Sequence, residues 1–243
     1  MNIYVSGRGQ FTVQVAEALV EAHHHVVGVA SPRLRDGHSD ESQAMSWDRL
    51  RAWAYPRNIT WTDSSELRAH HIAADVDIIL AAHSHAFIGR RTRARARVAT
   101  IGYHPSLLPL HRGRDAIRWT IRDGDKVTGG TVYHLTEHTD GGPIAAQEHV
   151  LVPPGSTAQS LWREHLAPLG IRLLLRVVDD LADDRRIEVP QDEALATWEP
   201  SMDSPPLFKP ELIALPGSVP VDSSKWALHG QEGRDHSRPG STA

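Results

Sequence analysis

A chain of 243 residues, 40% of them hydrophobic and 23% charged, has enough apolar material for a folded core of one or two domains, which excludes disorder throughout. The absence of cysteine excludes a disulfide framework, a thiolate zinc site and a cysteine nucleophile. A formal charge of -4 speaks against a nucleic-acid binder held mainly by phosphate contacts, and no apolar run approaches the roughly 20 residues of a membrane helix. Met1-Asn2-Ile3-Tyr4-Val5 leads straight into a strand-like run without a secretory signature, so a cytoplasmic protein is expected.

In chain order, Ile3, Tyr4 and Val5 read as a strand and residues 6–9 as a turn. Val13, Ala16, Ala18, Leu19 and Ala22 form a helical stripe, and residues 26–29 complete a βαβ spacing. His23, His24 and His25 fall at the helix-to-strand turn, where adjacent side chains do not all converge, so no metal site is expected. Residues 31–43 are polar and punctuated by Gly and Pro, the signature of a loop. Trp47, Leu50, Trp53 and Ala54 predict a short amphipathic helix. Strands are expected at residues 58–61, 76–82 and 98–101. Before the last of these, Arg90, Arg91, Arg93, Arg95 and Arg97 read as a solvated helix face, with attraction of an anionic acceptor or folate tail as the alternative. Strands then recur at residues 131–135 and 144–152, and residues 160–181 carry the longest helical stripe. The alternation of strands and helices predicts an α/β fold, a Rossmann-like, mostly parallel twisted sheet with helices on both faces. Residues 1–200 are expected to form the catalytic domain, and residues 201–243 a Pro-rich extension and flexible tail.

The most specific stretch is residues 100–147. It holds His104-Pro105-Ser106-Leu107-Leu108-Pro109, Arg112-Gly113, Thr128-Gly129 ahead of a strand, and Asp140-Gly141-Gly142-Pro143-Ile144. Four such elements in this order resemble the folate-dependent formyltransferases, the group of glycinamide ribonucleotide formyltransferase and the methionyl-tRNA formyltransferase catalytic domain. Weaker likeness runs from Met1 to Ala196-Thr197-Trp198. The resemblance implies N-formyl transfer from 10-formyltetrahydrofolate, as co-substrate, to an amine. It makes His104 the imidazole that stabilises the oxyanion or relays the proton, and Asp140 the carboxylate that orients it. The residues themselves also allow a hydrogen-bonded core histidine and a turn-forming aspartate. By the same resemblance His85, Ala86, Phe87 and Ile88 line one wall of the folate site, and Glu137, His138, Thr139 and Asp140 the other.

The sequence departs from the family pattern at Gly102, where the family places an asparagine. Strand alternation sets Gly102 and His104 on one face and Tyr103 on the other. Loss of an oxyanion donor elsewhere costs about 2.7–4 kcal/mol. The expectation is a substitute donor at Gly102, either an ordered water in the space left there or an imidazole from His83 or His85. The same space admits a bulkier acceptor or a water nucleophile, so hydrolysis of the formyl group is one alternative and non-catalytic folate binding another. The first βα turn lacks the Ser-Asn phosphate loop of the ribonucleotide enzyme. The C-terminal stretch does not resemble the second domain of the tRNA enzyme. The expected partner is therefore a small-molecule amine, not nucleic acid or membrane, and a homodimer is compatible with the sequence.

Overall fold

The computed structural model describes residues 1–33, 49–84 and 86–203. Trp47, His85 and the residues beyond 203 lie outside the described residues, and the expectations attached to them lie there too. Strands β1 (Asn2–Gly7), β2 (His25–Ser31), β3 (Thr60–Asp63), β4 (Ile78–Ala82) and β5 (Ala99–His104) pair in parallel. Strands β6 (Val127–His134) and β7 (Ile144–Leu151) add an antiparallel edge. The sheet order is β3-β2-β1-β4-β5-β6-β7. Its winding direction changes between β1 and β4, and ligands of such sheets sit at the carboxyl ends of the strands near that point.

Two apolar layers cover the sheet. One is built from α1 (Gly9–Glu21), α2 (Arg49–Ala54) and the long C-terminal helix, with Phe11, Leu19, Trp53, Leu173 and Val177 in its core. The other is thinner: Tyr4, Leu67, Ile72, Ile79 and Ile88 pack beneath a 3-10 turn (Ala69–His71) and the short α3 (Arg90–Arg93). Helix α4 (Ala116–Asp123) links β5 to β6. The helix expected over residues 160–181 begins as α5 (Ala158–Leu161), passes through a π turn (Trp162–Leu166) and continues as α6 (Ala167–Ala182). Periodicity alone does not reveal such a turn, because it shifts the apolar stripe by only one residue.

The arginine run corrects the expectation of a solvated face in part. Its helix is four residues long, and Arg93 turns inward while Arg95 stays exposed. Arg93 donates to the Ile88 carbonyl at 2.7 Å, and Arg95 reaches the Ile72 carbonyl at 3.3 Å. His24 is buried and bonds Asp179 at 3.0 Å, a tie between the β2 entry and α6 rather than a ligand.

Candidate active site

His104 ends β5, a strand buried along its whole length. Its Nε2 lies 2.8 Å from the His111 carbonyl, and a carbonyl only accepts, so Nε2 carries the proton. The other ring nitrogen, Nδ1, faces Asp140 Oδ2 at 3.7 Å. That separation is an ion-pair distance rather than a hydrogen bond. Nδ1 is therefore the nitrogen without a proton in the neutral ring, and it faces the carboxylate. His111 is itself fixed: its Nε2 lies 2.8 Å from Asp125 Oδ2, and its backbone N–H donates to Thr197 Oγ1 at 2.7 Å.

Asp140 sits in a turn with φ of 52°, a left-handed conformation that Asp tolerates better than most side chains. Its Oδ2 accepts from the Gly113 N–H at 2.9 Å, and its Oδ1 accepts from the Tyr133 hydroxyl at 2.6 Å. Gly142 fixes the approach of this turn to β6, because a Cβ there would stand 1.7 Å from the His134 carbonyl oxygen. Asp140 thus forms the turn and also presents a carboxylate oxygen to His104.

A second layer of residues holds that turn. Gln191 donates from Nε2 to the carbonyls of Asp140 and Gly142, both at 2.7 Å. Its Oε1 accepts from Arg112 Nη2 at 2.7 Å, and Arg112 grips Glu193 with two further bonds of 2.8 and 2.7 Å. The hydrogen bond to Glu193 raises the Arg112 pKa above its usual value, against the cost of burial. The sequence marks Arg112 within its motif and Gln191 within the weaker likeness before Trp198, but assigns neither a role. Arg112→Lys is expected to cost about 1–3 kcal/mol of stability, since Gln191 Oε1 loses its forked donor, and to lower kcat more than it raises KM. Urea melts and steady-state kinetics read both effects.

The two loops expected around the folate are neighbours at this end of the sheet. Arg93 joins them: it donates to the Ile88 carbonyl, lies 5.9 Å from the Phe87 ring, and reaches Glu137 Oε2 at 3.6 Å. Phe87, Glu137, His138 and Thr139 are exposed, Ala86 is half-buried, and the Ile88 side chain is buried in the second core layer. Ile88 therefore faces the loop's exposed side only through its backbone.

Gly102 requires the main correction. It stands on the His104 face as expected, while Tyr103 points the other way and donates to the Leu166 carbonyl at 2.7 Å. The space beside Gly102 is filled, however. A Cβ built there would stand 3.0 Å from Leu135 Cδ2 and 3.4 Å from Tyr133 Cε1. The Cβ position is therefore taken up by packing with Leu135 and Tyr133, not the open space expected there. The physical reason is cross-strand pairing: Gly102 lies opposite Tyr133, whose ring covers it.

Residues 1–178 match the formyl transferase family. Mouse mitochondrial 10-formyltetrahydrofolate dehydrogenase is 31% identical over 201 residues, covering 82% of this chain but only 22% of that relative's length. A methionyl-tRNA formyltransferase of Lactobacillus delbrueckii subsp. bulgaricus is 28% identical over 208 residues, which is 83% of this chain and 64% of that one. Among solved structures, a sugar 3N-formyl transferase crystallised with dTDP and 5-N-formyl-THF shares the fold with a TM-score of 0.67 at 14% identity, covering 84% of this chain and 71% of its own. With the matched segment carrying both His104 and the Asp140 turn, the chain belongs to the formyl transferase family.

Proposed function

We propose that this chain moves a formyl group from 10-formyltetrahydrofolate to an amine of a small-molecule acceptor. The observation that carries the reading is the approach of Asp140 Oδ2 to His104 Nδ1, 3.7 Å apart, where His104 ends β5, in a chain of this family. The amine attacks the formyl carbon, and a new C–N bond forms as the carbonyl oxygen takes up negative charge. His104 stabilises that charge and relays the proton from the attacking nitrogen to N10 of the folate, with Asp140 holding the imidazole in place. The bond to N10 then breaks and releases tetrahydrofolate and the N-formyl product. The folate is taken between the loop of Ala86, Phe87 and Ile88 and the loop of Glu137, His138, Thr139 and Asp140, which Arg93 ties together.

Against hydrolysis, the Cβ position at Gly102 opens no free space for a water: it lies 3.0 Å from Leu135 Cδ2 and 3.4 Å from Tyr133 Cε1. A small acceptor is favoured over RNA by the net negative charge. Incubation with 10-formyltetrahydrofolate and a panel of amino sugars and amino acids tests the reading. Tetrahydrofolate released only when an amine is present supports it. Formate released without any amine makes the protein a hydrolase, and binding without turnover makes it a folate binder.

A further inference from the structure

The sequence leaves position 102 without a side chain on the catalytic face, and the strand next door supplies one. Gly102 on β5 is registered opposite Tyr133 on β6, as His104 is opposite Thr131. Residues opposite each other in an antiparallel pair point to the same face. Tyr133, His104 and the space above Gly102 therefore share one surface of the sheet, and Asp140 closes over it. The Tyr133 ring lies across Gly102, and its hydroxyl ends 2.6 Å from Asp140 Oδ1. The opposite oxygen of that carboxylate is the one that faces His104 Nδ1.

We propose that Tyr133 is the positioning residue of this site: its hydroxyl sets the Asp140 carboxylate toward His104, and glycine at 102 leaves that face to the tyrosine ring and the Leu135 side chain, which pack beside it. The inference rests on the formyl-transfer reading for its kinetic consequences, while the pairing itself is a matter of packing. The phenol suits the task chemically. Burial, followed by the nearby Asp140 charge, raises its pKa well above the usual value, so it remains a neutral donor over the working range. A neutral donor to one carboxylate oxygen and the Gly113 N–H to the other remove the rotational freedom of the Asp140 side chain. Tyr133 donates its single proton to Asp140, so it acts on the reaction through that residue and not by contact with the formyl group.

The pairing ties two positions into one functional unit. A Cβ at 102 already meets Leu135 and touches the ring, so the further methyls of Gly102→Val are expected to press on the ring and displace its hydroxyl from Asp140. Tyr133→Phe keeps the ring and removes only the donor. Both variants are expected to lower kcat by about 10- to 100-fold, the equivalent of one hydrogen bond to a charged group, with KM for the formyl donor unchanged. Because both changes break the same contact, the double variant is expected to be no slower than the slower single one.

The test combines this cycle with a readout that needs no turnover. The chain has four tyrosines. A buried hydroxyl bonded to a carboxylate gives a slowly exchanging low-field proton resonance, assigned by its loss in Tyr133→Phe. The expected result is that Gly102→Val shifts or removes this resonance while the rest of the spectrum stays folded; if valine unfolds the strand, the kcat-against-KM split of Tyr133→Phe alone carries the test of the positioning role. An unmoved resonance in the position-102 variant, losses that multiply in the double variant, or losses that appear in KM instead of kcat each overturn the proposal. If the resonance behaves as expected but wild type moves no formyl group, the pairing stands and the proposed reaction fails.

Discussion

His104→Ala is expected to lower formyl transfer by about 10²–10⁴-fold, the range for loss of a positioned acid–base group. Its ring is held on one side by the His111 carbonyl and presents Nδ1 to Asp140, so no neighbour can take over the proton relay. Alanine also strips the His111 carbonyl of its donor, and that change alone is expected to cost stability. His104→Gln separates the two effects. The glutamine amide can donate to the His111 carbonyl and restore the fold, but it has no basic nitrogen to relay a proton. Equal kinetic losses in both variants, with normal melting of the glutamine form, identify the chemistry as the cause. Retention of most activity in the glutamine variant would show that His104 only anchors the loop after β5.

The sequence exposes some parts of this site and hides others for a physical reason. His104 lies at the end of an apolar run and within a local motif, and Asp140 stands before two glycines in another. Both are visible because local sequence determines a strand end and a turn. The period of two along β5 also tells which residues share a face, so Tyr103 is correctly read as pointing away. What alternation does not give is the neighbour across the sheet. The register that sets Gly102 against Tyr133 arises only when β6 folds back antiparallel to β5, and an empty position on one strand therefore looks like space when it is contact. The Arg112–Gln191 contact, 79 residues apart in the chain, is hidden for the same reason. Likewise the bonds of Arg93 and Arg95 depend on the Ile88 and Ile72 carbonyls, which composition does not show.

Asp140→Asn is expected to reduce kcat by about 10²–10³-fold while leaving the protein folded, a loss comparable to removal of one preorganised polar group at a reacting centre. Asparagine has the same shape and tolerates the left-handed backbone of this turn, where φ is 52°. Its single oxygen is claimed by the Gly113 N–H, a donor with no other role available to it. The amide nitrogen then faces Tyr133, whose hydroxyl can rotate and accept, so both former partners stay satisfied. What disappears is the negative charge beside His104 Nδ1, and with it the stabilisation of the imidazolium that the proton relay passes through. Asp140→Ala makes the contrast. It leaves Tyr133 and Gly113 without acceptors and forces an unfavourable backbone conformation on alanine, so it is expected to lose about 1–3 kcal/mol of stability besides the activity. Thermal melts separate the two variants, and kcat should fall in both. An asparagine variant that turns over like wild type would remove the carboxylate from the mechanism and leave Asp140 only its structural part, holding the turn against β6.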